Sequence, residues 1–348
     1  MPVGSKPNWP KGRKHAKPPN QATIDMTPTP VLTRARRFRE LLAHARPVVS
    51  PGVFDAYSAR LVESMGFVTA ATTGAGLSNS LIGQPDIGVF SLRENVDACR
   101  HIARSVNIPI MADADTGYGN AVTVFHAVEY FEEAGVVGIN MEDQLSPKRC
   151  GHMRGKELVP ASEMAMKIEA ALKARRDPDF IINARTDAIA VEGIESTQAR
   201  IREYVAAGAD MIYADAIRSE DDIQRVIEAA GDVPVNINMG FGIRTRPTSP
   251  LLSLGRLREL GVARVSMPRL LTASALSGMQ KALEVLRQCM VTGEPADRPD
   301  LLVDMDTISG LMGYDRISAL ENELLSSDAL RRKYGQGERH YVVKSRKD

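Results

Sequence analysis

The sequence predicts an α/β protein built as a (β/α)8 TIM-type barrel with additional C-terminal helices. Eight short apolar runs rich in β-branched residues alternate with amphipathic segments whose apolar residues recur every three or four positions, the pattern of a parallel sheet wrapped in helices. The runs begin near residues 47, 67, 108, 136, 180, 211, 233 and 263. One unit therefore takes about 28 residues, and eight approach the roughly 250-residue total of such a barrel. Polar residues collect at the C-terminal ends of many runs rather than at one switch point, and no run precedes a complete GxGxxG fingerprint. Both facts disfavour the runner-up, an open doubly wound sheet.

The elements follow in order. PVVSPGVF opens the sheet, and AYSARLVESM places its apolar residues on one helical face behind it. FVTAAT is strand two. IPIMADAD is strand three, followed by VTVFHAVEYFEEAG, a helix closing on glycine. VVGINMED precedes the helix ASEMAMKIEAALKARR, FIINART precedes ARIREYVAAGAD, and MIYADA precedes EDDIQRVIEAAGDVP; VPVNINM and ARVSMP complete the set. The intervals 67–109 and 136–180 are much longer than the others, which puts long loops after strands two and four, on the face where barrels carry catalysis. ASALSGMQKALEVLRQCM and the stretch around DTISGLMGYDRISALENELL add helices beyond the barrel, to pack on its wall or on a neighbouring subunit.

With 348 residues, 43% hydrophobic and 25% charged, the chain is long enough to bury a large core. Lysine plus arginine number 44 against 43 aspartate plus glutamate, a balance that gives no global field for nucleic acid or anionic membrane. Recognition must therefore be local, with no nucleic-acid or membrane partner expected; the partner expected from the site residues below is a small-molecule carboxylic acid. Three scattered cysteines, Cys99, Cys150 and Cys289, exclude a disulfide framework and fit a reducing compartment. No apolar run approaches the roughly 18 residues of a membrane span, and a cytoplasmic protein is expected. Residues 1–30 carry seven of the twenty prolines and five basic residues against one acid, and read as a disordered basic tail. Residues 31–290 are assigned to the catalytic barrel and 291–348 to a C-terminal helical extension.

Strand three ends in Asp113-Ala-Asp115, so two carboxylates point the same way from its tip. Strand four supplies Glu142 and Asp143, and the long second loop brings Asp86 within GQPDIG. Hard oxygen donors around a largely hydrated ion suit Mg2+, although each aspartate taken alone reads equally as a helix cap or turn residue. The loop after strand four surrounds Cys150 with Lys148, Arg149, His152, Arg154 and Lys156. Cations beside a thiol favour its thiolate, so Cys150 reads as a proton donor or nucleophile, against the plainer reading of a solvated basic loop. Arg185, at the tip of strand five, offers a planar fork to a substrate carboxylate or neutralises Asp187 or the metal-binding acids. Thr72-Thr73-Gly74-Ala75-Gly76 presents N–H groups to an oxyanion or marks a tight turn.

The ordered set TTGAG, GQPDIG, DADTGYGN, Glu142-Asp143-Gln144 with PKRCGH, and ARTDA resembles the isocitrate lyase and phosphoenolpyruvate mutase superfamily over most of residues 34–290. The nearest branch in motif holds the 2-methylisocitrate lyases, 2,3-dimethylmalate lyases and carboxyphosphonoenolpyruvate mutases. PKRCGH is the most specific part and resembles the mobile gating loop of the carbon–carbon lyases. The resemblance implies Mg2+, or Mn2+ in its place, bound directly by Asp113 and through water by Asp86, Asp115 and Glu142. It implies that Thr73, Gly74 and Ala75 bind the α-keto acid half, that Arg185 and Gly151-His152 take carboxylates, and that Cys150 delivers a proton. Asn236 and Asn238 complete the implied substrate contacts. The reaction implied is cleavage of a 2-hydroxy di- or tricarboxylate to an α-keto acid such as pyruvate plus a carboxylate, in a homo-oligomer. Relatives commonly form tetramers with exchanged C-terminal helices. Two other chemistries stay open: phosphorus–carbon bond chemistry on a carboxyphosphonate, and hydrolysis or decarboxylation of oxaloacetate. The sequence departs from the lyases in two places. Their strand-seven Asn-x-Thr-Glu reads Asn236-Ile237-Asn238-Met239 here, and Ala71 stands where they carry tyrosine. The base and the distal carboxylate contacts are thereby left unassigned, with residues 236–252, including Arg244 and Arg246, expected to set the substrate choice.

Overall fold

Eight parallel strands close into a barrel: β1 (Val48–Val53), β2 (Ala70–Thr72), β3 (Ile110–Asp113), β4 (Gly138–Glu142), β5 (Ile181–Thr186), β6 (Met211–Ala214), β7 (Val235–Asn238) and β8 (Arg264–Met267). The structure is a computed structural model and describes residues 31–44, 46–151, 153–240 and 249–335. The tail 1–30, Arg244 and Arg246 therefore lie outside the described residues. Strands pair in sequence order, and β1 closes on β8 with Val48 beside Arg264 and Pro51 beside Met267. Because helices cover the sheet outside and side chains fill it inside, the strands read as nearly continuous apolar runs.

The helices are α1 (Val31–His44), α2 (Ala56–Ser64), α3 (Gly74–Leu77), α4 (Leu92–Ser105), α5 (Ala121–Glu133), α6 (Ala161–Ala174), α7 (Ile194–Ala206), α8 (Glu220–Ala230) and α9 (Leu254–Leu260). Four more follow the barrel: α10 (Leu270–Thr292), α11 (Met305–Leu311), α12 (Tyr314–Leu324) and α13 (Ser327–Tyr334). Local chemistry fixes several starts. Asp55 and Ser58 form a capping box on α2, and Ser91 with Glu94 does the same on α4, each satisfying first-turn N–H groups that have no helical partner.

Two elements differ from the sequence expectation. Helix α1 was hidden by its arginines, yet Ala35, Phe38 and Leu42 recur at helical spacing and bury against Val48, Met111, Ile181 and Met211. It covers the N-terminal end of the barrel, opposite the C-terminal mouth. The expected helix around 306–325 is two helices, because Gly313 adopts a left-handed conformation (φ 78°) that ends the first and caps the second.

Candidate active site at the barrel mouth

The C-terminal mouth holds a cavity lined by Thr73, Ala75, Asp86, Asp113, Cys150 and Arg185, with Gly151 and Asn238 beside them. Residues as far apart in sequence as Thr73 and Asn238 thus meet because each sits at a strand tip or in the loop that follows one. His152 lies outside the described residues. Asn236 is fully buried and sits below the cavity, donating to Ser266 Oγ at 3.3 Å. Residues 236 and 238 share one face of β7, but two residues along a strand is a step of roughly 6.6 Å, and only the second reaches the mouth.

The acidic residues form the floor of one side. Asp113 accepts from the N–H of Gly74 at 3.0 Å through one oxygen and from the N–H of Asp115 at 3.1 Å through the other. The Gly74 N–H is therefore directed at Asp113. Asp115 takes a left-handed backbone (φ 49°), which turns its carboxylate back beside Asp113 and is tolerated by aspartate better than by most residues. Burial pushes Asp115 up to about 6, against the pull of the Lys148 ammonium. Glu142 is 1% exposed, and neither of its oxygens accepts a hydrogen bond among the described residues; Oε2 lies 3.2 Å from Arg185 Nε as an ion pair. Burial raises its carboxyl well above the usual range.

Lys148 enters this cluster from the loop after β4. Its Nζ lies 2.5 Å from Asp86 and 2.8 Å from Asp115, and the side chain is 3% exposed. Burial opposes its charge, but Glu142, Asp115 and Asp86 outweigh that and hold the ammonium charged. Among the described residues no three His, Cys, Asp or Glu side chains are placed to hold a metal ion by themselves. The donor set still fits a hard divalent ion taken by one direct carboxylate and several waters. Glu142 carries buried oxygens without hydrogen bonds, and the acids crowd strongly enough to draw a lysine among them.

The same loop is pinned rather than solvated. Gln144 donates to the carbonyl of Arg149 at 2.8 Å and accepts from its N–H at 2.9 Å. Lys156 donates to the Gly151 carbonyl at 2.6 Å, and the Cys150 N–H donates to the Asp86 carbonyl at 3.1 Å. Cys150 thereby faces the cavity, where Arg269 Nη2 donates to its Sγ at 3.2 Å. Gly151 presses on the wall: a Cβ there would lie 1.6 Å from Asp215 Oδ2. Gly151→Ala is therefore expected to unseat the loop and lower kcat about 100-fold, as displacements of an ångström at reacting groups do. Steady-state kinetics checks this, with an unchanged melting temperature separating a local effect from misfolding.

Arg185 takes the neutralising role. Its Nε and Nη2 donate to the two oxygens of Asp187 at 2.9 and 3.1 Å, and Nη2 also donates to Asp215 at 3.0 Å. Burial disfavours its charge, but Asp187, Asp215 and Glu142 overcome this. Asp215 and Tyr213, on and just after β6, were not singled out in the sequence. Tyr213 donates to Asp215 at 2.8 Å, accepts from Asn238, and lies beneath the Arg185 guanidinium at 5.1 Å. The rule that flagged Asp113 and Arg185, a polar residue at a strand tip, applied equally to both.

Asp143 and Cys99 belong elsewhere. Asp143 points out of the barrel toward α7, where it accepts from Thr186, Tyr204 and the N–H of Asp187. Cys99 is fully buried and its thiol is pushed up to about 12 by burial.

A closed barrel with carboxylates, a thiol-bearing loop and a compensated guanidinium at its C-terminal mouth is the architecture of a barrel enzyme. Among known proteins, residues 38–287 match the phosphoenolpyruvate phosphomutase family, and the chain belongs to it. It is 37% identical over 291 residues to the 2,3-dimethylmalate lyase of Eubacterium barkeri, which covers 84% of this chain and 98% of that one. It is 36% identical over 293 residues to the 2-methylisocitrate lyase of Shewanella oneidensis, covering 84% and 97%. The solved structure of phosphonopyruvate hydrolase in complex with oxalate and Mg2+ matches with a TM-score of 0.74 at 30% identity, over 84% of this chain and 99% of that one.

Proposed function

We propose that this chain is a Mg2+-dependent carbon–carbon lyase that cleaves a 2-hydroxy di- or tricarboxylate, of the 2-methylisocitrate or 2,3-dimethylmalate kind, to an α-keto acid such as pyruvate and a second carboxylate. The observation that carries the reading is the meeting of Cys150 with Asp86 and Asp113 in one cavity. Carboxylates there would hold a divalent cation and the thiol would supply a proton, the two things that cleavage of such a bond requires. Asp113 would hold the ion directly, with Asp86, Asp115 and Glu142 holding it through water. Mg2+, or Mn2+ in its place, would stabilise negative charge on the oxygen that becomes the keto group. Thr73 and Ala75 would cradle that half, and Arg185 with Gly151, His152 and Asn238 would complete the substrate contacts; Asn236 supports the wall from below, and Gly74 holds Asp113 in place. When the bond breaks, its electron pair stays on the carbon next to the second carboxylate, and the Cys150 S–H transfers its proton there. The loop around Cys150 keeps water from competing for that carbon.

Purified protein is incubated with 2-methylisocitrate, 2,3-dimethylmalate and oxaloacetate, with keto acid, oxalate and carbon dioxide measured. Pyruvate is expected from one of the 2-hydroxy acids, lost with EDTA and restored by Mg2+ or Mn2+. Silence on both hydroxy acids with metal present sinks the reading. The likeness to phosphonopyruvate hydrolase favours one second reading, phosphorus–carbon bond chemistry at the same mouth. Phosphorus NMR of a phosphonate incubation separates it.

The proposed setting is the cytoplasm, and no helix among the described residues is long and apolar enough to cross a membrane. The proposed assembly is a homotetramer with exchanged C-terminal helices. In support, α10 buries none of its residues, and Leu276, Met279, Leu283, Leu286 and Met290 form an exposed stripe at alternating spacings of three and four. Leu283→Glu is expected to shift the mass measured by light scattering toward the monomer; an unchanged mass excludes this face.

A further inference from the structure

The lyase substrate carries a carboxylate on each side of the bond that breaks, and the cavity lining contains two cations, Arg185 and Arg269. Arg185 is surrounded by Asp187, Asp215 and Glu142, so its charge is already answered within the protein. Arg269 differs. It lies two residues beyond β8, is half-buried, and among the described residues has no carboxylate within 4.0 Å. Its one side-chain hydrogen bond among the described residues runs from Nη2 to Cys150 Sγ at 3.2 Å.

We propose that Arg269 is the residue that receives the second carboxylate of the substrate, the one attached to the carbon that Cys150 protonates. This rests on the lyase reading and names the group that selects its substrate class. The argument is one of connectivity. A proton leaving Sγ must reach a carbon whose carboxyl group is one bond away, so that carboxyl group must sit beside the sulfur. The guanidinium that touches the sulfur is therefore also within reach of the carboxylate, and its planar fork suits two oxygens at once. Cleavage moves the bonding pair onto the carbon and spreads it into that carboxylate as an aci-carboxylate. The substrate hydroxyl gives its proton to a base, and the thiol gives its own to the carbon and becomes a thiolate. Negative charge grows first on the carboxylate oxygens and ends on sulfur, and Arg269 faces both positions without moving. It serves as a substrate-specificity residue for anions that carry a carboxylate on the reacting carbon.

Alkylation of Cys150 tests this without any turnover. Iodoacetate carries a carboxylate on the carbon that sulfur attacks, and iodoacetamide is its neutral counterpart. The ratio of the two rates, read from the mass of the Cys150 peptide, cancels any change in thiolate fraction and reports the charge that the carboxylate meets. Arg269→Gln is expected to lower the iodoacetate-to-iodoacetamide ratio about tenfold, and Arg269→Lys to keep most of it. Oxalate affinity in the presence of Mg2+, which probes the keto acid side, is expected to stay within about twofold, a change of a few tenths of a kcal/mol on the affinity scale. An unchanged ratio overturns the proposal, and so does an equal loss of oxalate binding, which would mark a merely structural arginine. Failure of the lyase reading shows separately, as absent turnover in the wild type with the alkylation ratio intact.

Discussion

Replacing Cys150 by serine is expected to lower turnover by about three orders of magnitude, within the range that a positioned acid contributes. A hydroxyl is nearly the size of a thiol but a far weaker acid, so it holds the proton that the carbanion needs. The loop should stay seated, because the bonds that pin it run through backbone groups and neighbouring side chains: the residue-150 N–H to the Asp86 carbonyl, Gln144 to residue 149, and Lys156 to the Gly151 carbonyl. Metal and oxalate affinities, measured by calorimetry, should therefore stay within about twofold while kcat falls, the signature of an interaction made only in the transition state. A serine variant with wild-type rate would leave Cys150 no part in the chemistry.

The second large effect is on stability. Asp143 is fully buried and accepts from Thr186 Oγ1 and Tyr204 Oη, both at 2.7 Å, and from the Asp187 N–H at 3.0 Å, with Arg200 Nη1 at 3.4 Å. Burial pushes its carboxyl up, and the backbone and hydroxyl donors pull it back. Asp143→Ala would strand these buried donors, although the Arg200 guanidinium would keep Glu192 and the Val159 carbonyl as partners. The expected loss is about 3–5 kcal/mol, from three buried donors that each cost about 1–3 kcal/mol when left without an acceptor. Asp143→Asn, which keeps an acceptor oxygen and the shape, should lose less. Urea unfolding measures both, and a loss below about 1 kcal/mol for the alanine variant would refute the account. Since Asp187 also receives Arg185 and Lys156, the alanine variant should loosen the floor of the site as well.

These two aspects show what the sequence made legible. All eight strands were readable because each is a short apolar run bounded by turn residues, and the helices between them repeat their apolar spacing. Glu142 and Asp143 are adjacent, yet they face opposite sides of the barrel wall, one toward the mouth and one toward α7. That split follows from the strand period of two, but a sequence shows two acids together and not which way each turns. Lys148 was visible as one of several loop cations. Its insertion between Asp86 and Asp115 depends on how a long loop folds back over the mouth, which no local pattern encodes. Arg269 is illegible for a simpler reason: an arginine after the last strand has the pattern of a surface residue, and its role depends on Cys150, 119 positions away in sequence, lying beside it.

Closure of the sheet has a consequence for misassembly. An eight-stranded ring leaves no lateral rim where an extended peptide could add, so templated strand addition has no starting point while the ring is whole. Excising any single strand by proteolysis would create two such rims at once. Self-association of the undamaged molecule therefore does not run through the barrel's own strands.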